Sequence, residues 1–304
     1  MSVTVRAAAK INLALMVGPL RADGFHDLAT VYQAVSLFDD VTLAAGAPRS
    51  GVKVAVIGSE VDGVPTDARN LAVKAAKLVA AMVEAPADVA IDIVKEIPVA
   101  GGMAGGSADA AAALMAACEV FGLSYTRTDL ERWAADLGSD VPFAVSGGTA
   151  MGTGHGEVVV PMLARGELHW VVALANRGLS TPAVFKELDR LRADRDVTQP
   201  EVPAALSTAL VSGDPVAIGA ALHNDLQEAA LSLRPSLKRT LDAGLEAGAL
   251  AGIVSGSGPT TLFLTRDAEH ALDLTVTLSG MGVARSVRRV TGPVSGAHIV
   301  SDAS

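Results

Sequence analysis

Four glycines fall within six residues of this chain, Gly101, Gly102, Gly105 and Gly106, around Met103 and Ala104. Glycine tolerates positive φ and lets a ligand come close to the backbone, so such a loop can turn its N–H groups toward an anion. Ser107 and Asp109 follow as good helix-start residues, and the alanines after them are the strongest helix formers. A loop of bare N–H groups that feeds a helix N-terminus suits phosphate. Two further residues could do chemistry. Lys10 sits in an apolar stretch, either as an edge-strand charge or as a desolvated, paired functional group; the two readings weigh evenly. Asp140, an acid with Pro142 two residues on, reads from its own surroundings as a helix cap.

The elements that position these residues can be read from periodicity. Residues 89–97 mix Val, Ile and alternating charge, which suits a half-buried strand. Pro98 ends any regular ladder because it has no N–H. The loop is not a Walker A motif, because no lysine lies between Lys95 and Lys186. Nor does it have the GxGxxG spacing of a dinucleotide fold, and TDLERWAADLG, further on, looks helical rather than extended. A tight connection needs fewer glycines, so the spacing points to a nucleotide-phosphate loop of a third kind.

The rest of the first half reads as a buried strand through Lys10, a turn at Asp23-Gly24, one or two further strands, and a strand over 52–58. A helix is expected over 67–84, with Leu71, Ala75, Leu78 and Met82 on one stripe. Another should run from Asp129 to Leu137 and end at Gly138, followed by a Gly-rich hairpin from Gly147 to Glu157. The second half begins near Pro161. It predicts a strand at 168–176, a helix over 181–191 capped by Thr181 with Pro182 at its first position, and a polar loop over 193–203. Helices at 214–233 and 236–249 lead to a strand, a Gly-rich turn and a strand, then a helix and a final strand over 283–292. That order suggests an α+β sheet with helices on one face.

Composition narrows the class. The 304 residues suffice for one large or two ordinary domains. Mean hydropathy is +0.39, yet no run reaches the ~18 apolar residues of a membrane span. The first twenty residues resemble a signal peptide only weakly, since Lys10 and Asn12 interrupt them and no A-x-A-like cleavage site follows. The single cysteine, Cys118, excludes a disulfide framework, and the six histidines show no metal spacing. A net charge of −9 argues against nucleic acid. The expectation is a cytoplasmic protein with neither nucleic-acid nor membrane partners.

PVAGGMAGGSADAAAAL resembles the second signature of the GHMP kinases. The likeness extends to K-I-N-L at Lys10–Leu13, R-A-D-G-F-H at Arg21–His26, a strand carrying D-x-V, N-L at Asn70, G-S-D-V-P-F at Gly138–Phe143, and S-G-S-G-P-T at Ser255–Thr260. It implies a two-domain α+β GHMP kinase, with an ATP-binding domain over 1–160, a substrate-binding domain over 161–304, and the active site in the cleft between them. It further implies ATP-dependent phosphorylation of the 2-hydroxyl of CDP-methylerythritol, in the non-mevalonate route to isoprenoid precursors.

The same resemblance makes Lys10 and Asp140 the catalytic pair. It places ATP on Pro98, Val99, Ala100, Gly101, Gly102, Met103, Ala104, Gly105, Gly106, Ser107 and Ala108. Asn70 lies near the adenosine or is an ordinary cap. Asn12, Phe25, His26, Tyr32, Thr181 and Phe185 fall to the substrate, with the two phenylalanines clasping cytosine and His26 bonding its edge. Mg2+ is expected with ATP, and no metal ligand is assigned. Met103-Ala104 replaces the usual Leu-Gly, and Ala108 a frequent serine. The alternatives are a homoserine- or mevalonate-type kinase, or a non-catalytic ATP-binding regulator on this fold; an intact Lys10 and Asp140 weigh against the last.

Overall fold

A computed structural model describes the chain from Met1 to Ala303, with side chains as far as Val300. Two long strands open it, β1 (Ser2–Leu20) and β2 (His26–Ala45), joined at Asp23-Gly24. Gly24 there takes φ +83°, a conformation that costs a side chain dearly. β1 alternates in burial at its start and is then buried continuously from Ala7 to Leu15, with Lys10 and Asn12 inside that run. β3 (Val52–Gly58), α1 (Leu71–Met82), β4 (Val89–Lys95) and α2 (Gly105–Phe121) follow. After them come α3 (Arg127–Ala135), α4 (Val141–Ser146) and a hairpin of β5 (Thr149–Gly154) and β6 (Val158–Pro161). The alanines of α1 and α2 face each other and the sheet in one core. Their small side chains let the helices lie close to the strands.

The second half holds β7 (Leu168–Leu174), α5 (Thr181–Leu191), α6 (Ala204–Ser212), α7 (Pro215–Ala221) and the short β8 (His223–Asn224). It continues with α8 (Gln227–Leu233), α9 (Ser236–Glu246), β9 (Ala251–Val254), β10 (Thr261–Thr265), α10 (Ala268–Met281), β11 (Ser286–Gly292) and β12 (His298–Ala303). The larger sheet runs β12-β1-β2-β4-β3, with β5 and β6 added through β2 and β8 beside β1. The smaller is antiparallel in the order β11-β7-β10-β9. So β12, late in the chain, pairs with β1 in the first sheet.

Helices cover both faces of the smaller sheet, not the single face that the element order suggests. Phe263, Val171 and Ala173 point into a core with Leu237, Leu241, Leu274 and Leu278 from α9 and α10. Leu262, Leu264 and Val172 point the other way, into the core that holds Leu206, Leu210 and Ile218 from α6 and α7. Strand alternation makes this possible, because residues one apart face opposite layers. α2 also differs from expectation. It starts at Gly105 rather than after Ser107, and its N-cap is Ala104 in the left-handed region.

The two sheets are bound across their junction. Trp170, fully buried, donates its indole N–H to Gln33 at 3.1 Å. Arg285 donates twice to Glu60, at 2.7 and 2.8 Å. Arg288 reaches Glu96, beside the glycine loop, and Ser59. These contacts fix the spacing of the cleft between the halves.

Candidate active site

The glycine loop leaves β4 at Lys95 and enters α2 at Gly105. Ala100, Gly102 and Ala104 all have positive φ, at +50°, +78° and +57°. Two alanines in that region are strained, and strain of this kind persists only where the surroundings impose it. Those surroundings include the turn between β9 and β10. Ser255 donates its hydroxyl to the Gly102 carbonyl at 3.0 Å, and a Cβ on Gly102 would stand 2.1 Å from the Ser255 carbonyl oxygen. Met103 is fully buried and anchors the loop in the core, while Lys10 N–H donates to its carbonyl at 3.2 Å. Ala104 supplies no side-chain cap, so the opening N–H groups of α2 are left for water or an anion.

Lys10 pairs with Ala34 of β2 on one side and turns its other edge, between the stretches that meet β12 and β8, to the glycine loop at Met103, so it is buried and no solvent-facing edge charge. Its ammonium is buried, donates to Asn12 Oδ1 at 2.8 Å and lies 3.7 Å from Asp140 Oδ2. Asn12 in turn donates to Thr30 at 2.8 Å, which fixes the amide orientation. Asp140 occupies the N-cap position of α4 but makes no side-chain cap bond. Its carboxylate instead faces Lys10 and Tyr32. The Tyr32 phenol packs against Phe143 with ring centres 4.9 Å apart, and burial, followed by the Asp140 charge, pushes its pKa well up. The site therefore joins a buried cation to a partly exposed carboxylate.

The other end of the cleft is aromatic. Phe25 is 60% exposed and sits 5.2 Å from the His155 ring. Phe185, on α5, lies 5.2 Å from the His26 ring. Each phenylalanine thus packs against a histidine. His26 Nε2–H donates to Asp189 at 2.8 Å, since a carboxylate can only accept. That bond leaves Nδ1 as the acceptor of the ring. Thr181 opens α5 but does not cap it; that position belongs to Ser180, and the Thr181 hydroxyl pairs with Ser257 at 2.8 Å.

One cavity of about 820 Å³ joins these parts. Its walls bring together Lys10, Asn12, Phe25, His26, Tyr32, Asp140, Thr181 and Phe185 with Pro98, Ala100, Gly101, Gly102, Ala104, Gly105, Gly106 and Ser107. Four expected residues stand apart from these walls. Met103 and Ala108 have their side chains in the core, and Val99 faces a neighbouring cavity beside Glu60. Asn70 caps α1, accepting from Ala72 N–H at 2.8 Å and donating to the Pro65 carbonyl at 2.7 Å. The cavity also recruits residues that the sequence reading passed over, above all Lys186, Asp189 and His155. Asp189 follows Phe185 by one helical turn, which was the available signal. His155, in the hairpin turn between β5 and β6, carries a buried Nε2 with no hydrogen-bond partner among the described residues.

Two family models match the chain. The model described as GHMP kinases N terminal domain matches residues 70–148, and the one described as GHMP kinases C terminal matches 183–279. A protein of Mycolicibacterium smegmatis named 4-diphosphocytidyl-2-C-methyl-D-erythritol kinase is 57% identical over 301 residues, covering 98% of this chain and 92% of that protein. The protein of the same name from Nocardia farcinica is 55% identical over 302 residues, covering 99% and 97%. A crystal structure of 4-(cytidine 5'-diphospho)-2C-methyl-D-erythritol kinase superposes with a TM-score of 0.75 at 29% identity, covering 96% of this chain and 98% of that one.

Proposed function

The chain belongs to the GHMP kinase family, and from that premise we propose that it transfers the γ-phosphoryl group of ATP to the 2-hydroxyl of 4-diphosphocytidyl-2-C-methyl-D-erythritol. The observation that carries the reading is the convergence, in one cavity, of a phosphate-type loop, a buried lysine against a carboxylate, and an aromatic end suited to a nucleobase. It is supported by relatives of that name that match nearly the full chain.

Phosphoryl transfer asks the protein mainly for positioning and charge stabilisation. ATP lies with its phosphates along residues 98–108, where the loop amides and the positive end of α2 meet them. Lys10 sets a positive charge beside Asp140 and steadies the attacking hydroxyl, and Asp140 accepts its proton as general base. Asn12 holds Lys10 in place. Mg2+ bound with ATP would neutralise phosphate charge, and Ser107, the loop hydroxyl on the cavity wall, is the residue that could help hold it. Among the described residues no group of three or more acidic, histidine or cysteine side chains is arranged to hold a metal.

At the far end, Phe25 and Phe185 flank the cytosine, and the free Nδ1 of His26 accepts from its exocyclic amine. Asp189 supports that contact by keeping the proton on Nε2. Asn12 and Thr181 lie toward the methylerythritol portion. Asn70 acts on the adenosine, if at all, through the turn it caps. The division near residue 160 separates the two units along most of the chain, with β12 returning to the first.

Turnover with candidate acceptors tests this. ADP should appear with ATP and the cytidyl alcohol, and remain near background with homoserine, with mevalonate or with no acceptor. Rapid phosphorylation of either simple alcohol would move the chain to another branch of the family. Tight ATP binding without turnover on any acceptor would mark a regulator.

A further inference from the structure

Three charged side chains are buried directly beneath the glycine loop and take no part in the chemistry above. Lys95 is 1% exposed, Asp39 0% and Asp109 2%. The Lys95 ammonium donates to Asp39 Oδ2 and, at 2.8 Å, to Asp109 Oδ2. Asp39 Oδ1 accepts the backbone N–H groups of Glu96 at 2.6 Å and Ile97 at 2.9 Å.

The placement of these groups is informative. Lys95 is the last residue of β4, where the loop begins, and Asp109 lies in the second turn of α2, just past its end. Asp39 comes from β2, the neighbouring strand. One ammonium thus fastens both ends of the loop to the sheet. It also lies close under the phosphate surface: a Cβ on Gly105, a residue of the cavity wall, would stand 2.9 Å from Lys95 Nζ. A side chain at Gly105 would therefore press on the ammonium and on Ile97, at 3.0 Å, beneath the loop.

Such a cluster is a poor way to gain stability alone. Burying charges is costly, and apolar residues of the same volume often serve a core as well or better. Burial drives the Asp109 carboxyl well above the usual carboxylate range, and its Oδ1 has no hydrogen-bond partner among the described residues. Meanwhile the loop between the anchors holds strained left-handed geometry at Ala100 and Ala104. Something must impose that geometry before a nucleotide arrives.

We infer that Lys95, Asp39 and Asp109 form a buried fastener that holds the glycine loop and the first turn of α2 in their ATP-binding conformation. The three act as positioning residues, since none reaches the cavity. The inference rests on the proposed kinase reading for the identity of the ligand, but it can be measured by ATP binding alone.

Asp109→Ala is the informative variant. Alanine continues an alanine-rich helix and leaves the Lys95–Asp39 pair intact, so the protein should fold, while the tie to α2 is lost. ATP affinity by equilibrium dialysis should fall at least tenfold, and KM for ATP should rise in parallel. KM for the cytidyl alcohol should stay within twofold. Asp109→Asn, which can still accept from Lys95, should recover most of the ATP affinity. ATP affinity within twofold of the wild type in Asp109→Ala, with only the melting temperature lowered, would overturn the inference. Equal losses for both substrates, or no recovery in Asp109→Asn, would overturn it too. A wild type that binds ATP but never phosphorylates the cytidyl compound would sink the functional reading and leave the dialysis result standing.

Discussion

The phosphate end of the cleft and its aromatic end are made of different material. At the phosphate end the binding surface is main chain: glycines and alanines in left-handed geometry, propped from below by Lys95, Asp39 and Asp109 and from the side by the turn at Ser255. At the aromatic end it is side chain: Phe25 and Phe185 present ring faces, and His26 is steered by Asp189. A triphosphate is the same in every ATP, so a rigid cradle of amides serves it. The alcohol is where related kinases differ, and side chains can be exchanged without disturbing the backbone. Lys10 and Asp140 line the same cavity between the two ends, where the proposed mechanism has the reacting groups meet.

The largest effect should come at that meeting point. Asp140→Asn keeps the shape and removes the proton acceptor, so kcat should fall by ~10²–10⁴-fold, the usual cost of losing a general base. Both KM values should hold within a few-fold. Turnover within a few-fold of the wild type would leave Asp140 outside the chemistry.

Next comes the main-chain wall. Gly102→Val places a Cβ 2.1 Å from the Ser255 carbonyl oxygen and forces a branched residue to φ +78°. The loop must move, and ATP affinity should drop by well over tenfold. Affinity for the alcohol, measured by direct binding, should change little. Equal loss of both ligands would mean that the two ends are one unit.

The smallest of the three belongs to the side-chain wall. Phe185→Ala removes one face of the base site; aromatic stacking on a base is worth ~1–3 kcal/mol, and about 1.4 kcal/mol is a factor of ten. KM for the cytidyl substrate should therefore rise about tenfold, while KM for ATP stays put. A lowered melting temperature with an unchanged KM would make Phe185 a core residue.

The two ends also differed in how legible they were. Glycine density points to a main-chain phosphate site directly, because so many glycines in so few residues are more than a tight turn needs. It does not reveal where the helix starts. Alanine disfavours positive φ, so nothing in the sequence points to Ala104 as the cap. Asp109 reads as a helix-start residue and proves to be buried against Lys95, which a strand with alternating charges had disguised. Lys10 and Asp140 stay ambiguous one at a time; the resemblance joins them in the sequence, and β1 and α4 bring their charges to 3.7 Å. Asp189 looks like any carboxylate on an amphipathic helix. The pairing of β12 with β1 joins the two extremes of the chain, and no local pattern encodes that.

The central claim is that the aromatic end selects a cytidyl-bearing alcohol while the phosphate end serves ATP regardless. It is tested most directly by the wild-type protein acting on 4-diphosphocytidyl-2-C-methyl-D-erythritol and on free 2-C-methyl-D-erythritol, at fixed ATP, with kcat/KM measured for each. The account predicts at least a hundredfold preference for the cytidyl compound, with the same KM for ATP whenever turnover can be followed. Equal kcat/KM for the two alcohols would contradict it.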